Sequence, residues 1–254
     1  MDKKYEMLKD DTIEVGIRIL HRIKALKDFN DVRKGDLGGY IEKEENLSHE
    51  GNCWIYDNAN VFDNAWVFGD AQVYGDACVS NNAKVCDNTQ VFGDARVFGD
   101  AKVFDNACVF GDTKVYGDAQ VFGDACVSNN AQVFDDAWVF GDAQVFGNAC
   151  VSNNAQVFGN ACVSNNAQVF GDACVSNNAH ITNINDYIVI GPIGSRDDYT
   201  TFYLTKDKEI MVSCGCFNDT IDEFIKAVNE THRDNDKYKN DYNTVSECVK
   251  MLLK

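Results

Sequence analysis

The sequence predicts a mostly β protein: a parallel β-solenoid over residues 55–181, preceded by a short N-terminal module and followed by a small α+β domain. Three observations carry this. Every sixth residue from Ile55 to Ile181 is aliphatic, 22 positions in one phase, a regularity that marks a repeat architecture rather than compositional drift. Two residues ahead of each aliphatic, from Ala59 to Ala179, stands Ala, replaced only at Thr89 and Thr113. Between units lie Gly-Asp, Asp-Asn or Asn-Asn pairs, residues that tolerate positive φ and turn a chain tightly.

Residues 1–51 are not repetitive and read as a capping module. Ile13–Ile17 is expected to form a turn between short strands, followed by the mixed apolar and basic run Arg18–Leu26. Lys34–Glu42 (KGDLGGYIE) and Glu45–Ser48 then lead directly into Asn52-Cys53-Trp54-Ile55. An open solenoid end exposes strand edges and an apolar interior, so a cap is required there.

Residues 52–186 form the solenoid. In Ala-x-Val the outer residues point one way and x the other, so Ala and Val line the interior and x faces out. Six cysteines (Cys78, Cys108, Cys126, Cys150, Cys162, Cys174) occupy outward x positions. The segment carries 16 Asp and no Glu against four basic residues, and most of these Asp fall at corners, where turn chemistry accounts for them. Cation binding along such carboxylates, or mimicry of DNA phosphates, is the sharper alternative.

The unit, an aliphatic residue followed four later by a small one (Val61, Ala65), resembles the hexapeptide-repeat left-handed β-helix family over 55–181. That resemblance implies a left-handed coil with three faces, three hexapeptides per coil and about seven coils. Residues three hexapeptides apart then stack: Asp76, Asp94 and Asp112 form one column, Asp100, Asp118 and Asp136 another. Lys84 and Lys102 share an outward column, as do Arg96 and Lys114. Cys108 and Cys126 also stack, but in-register side chains run parallel, which favours free thiols over a disulfide. The string RIKALKDF…KGDLGGYIEKEENLS ahead of VFGDA repeats is similar to the lead-in of bacterial and phage or prophage hexapeptide-repeat proteins. Those are mostly of unassigned function, so the likeness implies architecture more than biochemistry.

Enzymes of that family set a test. Its acyltransferases use a His base and loops extruded from the coils; here no loop interrupts 55–181 and the nearby His is His180. Its carbonic anhydrases need three His around a metal. Neither pattern is met, so a non-catalytic chain without cofactor or metal is expected. Asn148–Gly159 is followed at once by its copy, Asn160–Gly171. Two hexapeptides inserted into coils of three rotate every later column by two-thirds of a turn. A single long functional face would be scrambled, whereas a scaffold would merely lengthen.

The residue after each interior aliphatic is aromatic at 15 of 22 positions, enough to stack rings along the corners. Phe104, Phe122, Phe140 and Phe158 are consecutive in one column. An apolar stripe of that length predicts a homo-oligomer, dimer or trimer, packed along this corner.

The net charge of −17 argues against a nucleic-acid partner, whose backbone needs Lys and Arg. No leader or membrane-spanning run is visible in the sequence, so no membrane partner is expected. Eleven cysteines, an odd number, fit a reducing, cytoplasmic setting.

Residues 187–254 break the repeat and read as βββαα. Tyr187–Gly191, Tyr199–Leu204 and Ile210–Ser213 are the expected strands. Asp219–His232 has an amphipathic helical pattern capped by Asp219 or Thr220, and Tyr238–Leu253 is a second helix. Three features invite function. The Gly194-Ser195-Arg196 turn offers backbone N–H groups and a guanidinium to an anion, or is an ordinary hairpin turn. Cys214-Gly215-Cys216 with His232 supplies metal-ligand types without a usual zinc spacing. Cys216, read as lying just ahead of a helix N-terminus, is a candidate thiolate nucleophile. Ser195, Arg196, Tyr199, Cys214 and Cys216 are the expected ligand site.

Two functions are compatible with these readings. One is a rigid acidic scaffold presenting a C-terminal recognition domain to an unknown protein or small molecule, phage or prophage encoded and host-interacting. The other is an enzyme, or a binder of a small nucleotide-like molecule, with its site in 187–254.

Overall fold

A computed structural model describes residues 3–253. The chain opens with an antiparallel hairpin, β1 (Tyr5–Val15) and β2 (Arg18–Ala25), turning at Gly16-Ile17. β2 pairs antiparallel with β3 (Leu37–Ile41), and β3 then pairs parallel with the rung Asn60–Val61. The sheet therefore changes from antiparallel to parallel at β3, where the lead-in becomes coil.

Below it lie 22 short rungs, β4 (Trp54–Ile55) through β25 (His180–Ile181), one per hexapeptide. They stack in three parallel sheets, with eight rungs on one face and seven on each of the others. Partners are three hexapeptides apart throughout: Val91 pairs with Val109, Cys108 with Cys126, Cys162 with His180. Interior Ala and Val are fully buried from Ala59 to Ile181, forming one continuous core with little besides branched aliphatics and methyls. Lys102, Gln90 and Arg96 are exposed, as the alternation requires. At each corner the first member of the turn pair has positive φ, whether Asp57, Asn81 or Asp105 or a glycine. The second members form amide ladders: Asn58 donates to Asp76, Asn82 to Asp100 and Asn106 to Asp124 at 3.0–3.3 Å. Where an Asn stacks on an Asp, the corner is thus hydrogen-bonded from coil to coil.

The lead-in supplies one more, irregular coil. Leu47 bridges Val67, and Ile41 pairs Val61, each offset from its partner by two positions more than a regular coil allows. Asn46 fastens this coil, donating to Ala65 O at 2.8 Å and Asp63 O at 3.0 Å. With it the solenoid has roughly eight turns. Lys4, 1% exposed, donates its ammonium to Cys53 O at 2.8 Å and to Gly51 O at 3.4 Å. Burial lowers the Lys4 pKa. Its ammonium hydrogens are met by carbonyls at the top of the coil.

Residues 187–253 form a four-stranded antiparallel sheet, β26 (Tyr187–Ile193), β27 (Asp198–Leu204), β28 (Ile210–Cys214) and β29 (Phe217–Thr220), in chain order. Helices α1 (Ile221–Thr231) and α2 (Asp236–Leu252) pack on one face. This corrects the expected three strands. Phe217–Thr220 is strand, and the helix begins at Ile221 with the Thr220 hydroxyl accepting from Glu223 N. β27 alternates cleanly: Phe202 and Leu204 enter the helix-side core, while Tyr203 joins the solenoid core.

The sheet also closes the lower end of the coil. Within the solenoid each outward residue donates its amide to the Ala carbonyl one coil on, as Gln156 N does to Ala173 O. In the last coil that carbonyl is gone. The Cys174 amide is taken by Thr201 Oγ1 at 2.9 Å, and the Phe170 amide by the Tyr187 hydroxyl at 3.3 Å. Tyr203 reaches Ser176 Oγ at 2.9 Å and Asn177 donates to Asn218 at 2.8 Å. The C-terminal segment is therefore a second cap.

Candidate functional site

Two turns meet at one end of the C-terminal sheet. The β26–β27 connection is a short 3-10 turn, Gly194–Arg196, closed by Asp197 in the left-handed region. The β28–β29 hairpin turns on Gly215-Cys216. Both approaches need glycine. Gly194 has φ 71° and lies against the Tyr242 ring, and Gly215 has φ 60° and lies under the Arg196 guanidinium; a Cβ at either would collide with these groups.

Together with α1 and α2 the turns line an open cavity of about 320 Å³. Its floor is apolar, from Phe217, Phe224 and Val228. Its rim is polar, from Ser195, Arg196, Cys216 and His232, with Cys214 and Tyr242 between. Arg196 Nη2 donates to Cys216 Sγ at 3.5 Å. That hydrogen bond, reinforced by the guanidinium charge, lowers the Cys216 thiol below its ordinary value and raises Arg196 in return. The helix-terminus activation expected for Cys216 is therefore corrected. The residue sits in a hairpin turn ahead of β29, and the cause is Arg196.

The other groups are held firmly. Thr200 Oγ1 lies 3.2 Å from Cys214 Sγ. Burial, and then the Cys214 thiol, push the Tyr242 hydroxyl up. His232 closes α1 and stacks on Tyr242, rings 5.8 Å apart and 19° from parallel. Among the described residues no three of His, Cys, Asp or Glu converge as a metal would require, although Cys214, Cys216 and His232 share the cavity wall.

Four of the five expected site residues are thus together: Ser195, Arg196, Cys214 and Cys216. Tyr199 is not among them. It has the strand parity of Thr201 and Tyr203, which face the coil, and it lines a separate recess with Cys174 and Ser213. Phe224 and Val228 from α1 and Tyr242 from α2 lie outside the expected set; they reach the cavity on the apolar face that each helix turns to the sheet.

Outside this cavity, Phe170, Ile184 and Tyr199 are 46%, 44% and 42% exposed and line one apolar groove, with Tyr187, Ile188 and Val189, where the coil meets the cap. Along the coil, Phe104, Phe122, Phe140 and Phe158 form a continuous ring stack with centroids 4.8 Å apart and planes within 6°. These rings are half-buried. All eleven cysteines are free, and burial raises the outward coil thiols, Cys108 to about 11. No helix among the described residues is long and apolar enough to cross a membrane.

A stretch of 39 residues is 56% identical to the Uncharacterized acetyltransferase YdcK of Escherichia coli (strain K12), covering 15% of this chain and 12% of that protein. At three hexapeptides per coil this amounts to about two coils, so the likeness is one of repeat units. The family of the YdcK Beta solenoid repeat matches residues 71–87, 143–157 and 155–169. The three stacked faces and their coil-to-coil pairing make residues 55–181 a β-solenoid, and the matches are likenesses of its repeat units.

Proposed function

We propose that the chain is a non-catalytic interaction protein, a rigid acidic rod that docks a protein partner where the coil meets the C-terminal cap. The observation that carries this reading is the groove of Phe170, Ile184 and Tyr199, three large exposed apolar side chains that line one recess together with Tyr187, Ile188 and Val189. Every coil residue is engaged in a ladder, a corner or the core, which suits a spacer. A cytoplasmic setting agrees with the free thiols. A phage or prophage origin and a host protein as partner rest on the lead-in resemblance alone. Packing of two or three copies along the Phe104–Phe158 corner belongs to the same reading, since the ring edges remain partly open.

The name of the Escherichia coli relative raises acyl transfer as the competing reading. The full-length protein, incubated with acetyl-CoA and a panel of amine and hydroxyl acceptors, is expected to release no free thiol above buffer. Ile184→Asp and Tyr199→Asp are expected to abolish retention of the partner while leaving the melting temperature within a degree or two of the parent. Light scattering is expected to show a dimer or trimer. Turnover with acetyl-CoA, or partner retention indifferent to both groove substitutions, would overturn the proposal.

A further inference from the structure

The cavity beside Arg196 has no part in the docking role just proposed, and its chemistry differs from that of the rest of the chain. Eleven thiols are present, and nine are at least partly covered; only Cys216 and Cys248 are exposed. Cys216 differs from Cys248 in what surrounds it: a guanidinium within hydrogen-bond reach, a hairpin turn that fixes its position, and an apolar floor beneath it.

We propose that this cavity is a covalent site for small carboxylate-bearing Michael acceptors, with Cys216 as the nucleophile and Arg196 as the group that holds both the thiolate and the incoming carboxylate. Three features of the geometry support it. First, the guanidinium of Arg196 lies over Gly215 in space that any Cβ there would fill, which brings it within reach of Cys216. A guanidinium has five N–H donors in a planar fork, and one serves Cys216 Sγ, which leaves others for a carboxylate. Second, Phe217, Phe224 and Val228 offer an apolar bed for the carbon skeleton of a small acid. Third, the charged and titratable groups around the thiol are Arg196 from the 3-10 turn, Cys214 from β28, His232 from the end of α1 and Tyr242 from α2. Asp197, which follows Arg196 and closes its turn, and Asp198, which lines the neighbouring recess, are the carboxylates next in the chain, and neither lines this cavity. The local field therefore favours an anion at the mouth.

The step balances without any redox partner. The Cys216 thiolate supplies an electron pair to the β-carbon of the acceptor, a S–C bond forms, and the C=C π pair moves to the α-carbon, which takes a proton from water. The product is a thioether that keeps its carboxylate against Arg196.

The test compares two maleimides on the full-length protein, N-ethylmaleimide, which is neutral, and 3-maleimidopropionate, which is anionic, with peptide mapping of all cysteines. Cys216 is expected to react first, about tenfold or more faster than Cys248, because it is an exposed thiol with a guanidinium in hydrogen-bond reach. Its anionic-to-neutral rate ratio should exceed that of Cys248. Arg196→Gln is expected to bring that ratio down to the Cys248 level and to move the pH midpoint of Cys216 labelling upward, with Cys248 unchanged. Arg196→Lys should restore much of the rate. An unchanged melting temperature in both variants separates loss of the charge from loss of the fold; if Arg196→Gln unfolds the cap, the reagent comparison on the parent still decides. Equal labelling of Cys216 and Cys248, or a rate ratio at Cys216 that does not favour the anion, would overturn the proposal.

Discussion

Replacing Phe122 with Ser removes one of the two inner rings of a stack of four while leaving a residue that the corner accepts. Ser already occupies the equivalent position at Ser80, Ser128, Ser152, Ser164 and Ser176, all buried, so the backbone needs no adjustment. What is lost is two parallel ring contacts, to Phe104 and Phe140 at 4.8 Å each, and an edge contact to Trp138 at 6.3 Å. Each stacked pair contributes about 0.5–1.5 kcal/mol beyond area burial. The half-buried ring adds roughly 1–1.5 kcal/mol, about half the value for full burial. The expected loss is about 2–4 kcal/mol in urea unfolding. Phe170→Ser is the control: that ring is 46% exposed and has one edge contact, to Tyr187 at 6.5 Å, so it should cost roughly 1 kcal/mol or less. A double-mutant cycle of Phe122→Ser with Phe140→Ser should return a coupling of about 0.5–1.5 kcal/mol. A coupling within about 0.3 kcal/mol of zero, or a Phe122→Ser loss no larger than that of Phe170→Ser, would show that the rings contribute area and no stacking.

Two further outcomes follow from the same architecture. Deleting 115–132, three hexapeptides and one whole coil, should leave a folded protein with unchanged helix content by circular dichroism, because every later rung finds an equivalent neighbour; failure to obtain folded protein would contradict coil-by-coil additivity. Asp186 accepts from the Thr182 amide and hydroxyl and the Asn183 amide at 2.8–2.9 Å; burial would raise its pKa, but these donors hold it below the ordinary carboxylate value. A depressed carboxylate stabilises the fold above its unfolded pKa and loses that contribution as pH falls through the folded one. Asp186→Asn should therefore cost about 1–3 kcal/mol at pH 7, and the gap from the parent should close on acidification, as followed by melting at stepped pH.

How much was legible varies by element, for physical reasons. The rungs were readable because two residues in every six, the Ala and the Val, must be buried at every step, and a lapse would break the core. The hairpin was readable from Val15-Gly16. The extra coil at residues 37–49 was not, because Ile41 and Leu47 lie two positions out of phase with the repeat. β29 escaped because Phe217–Thr220 is short and mostly polar, and its Asp-Thr ending reads equally as a helix start. The pairing of Arg196 with Cys216 joins side chains on two different turns, and no periodicity reports it. Ser195 and Cys214 came together because both turns lie at the same end of one sheet, while strand parity sent Tyr199 to the other side.

The way the last coil ends has a consequence for how the protein exists in bulk. A stack of parallel rungs has no intrinsic length: its exposed end is a template on which another chain's first rung could settle, which is how cross-β fibres grow. Here Thr201 Oγ1 and the Tyr187 hydroxyl occupy the Cys174 and Phe170 amides, and the β1–β2 hairpin covers the opposite end. Those groups terminate a polymer at one protomer. Removal of residues 187–254 would uncover that template, so loss of the C-terminal cap would turn a discrete rod into a seed for filaments.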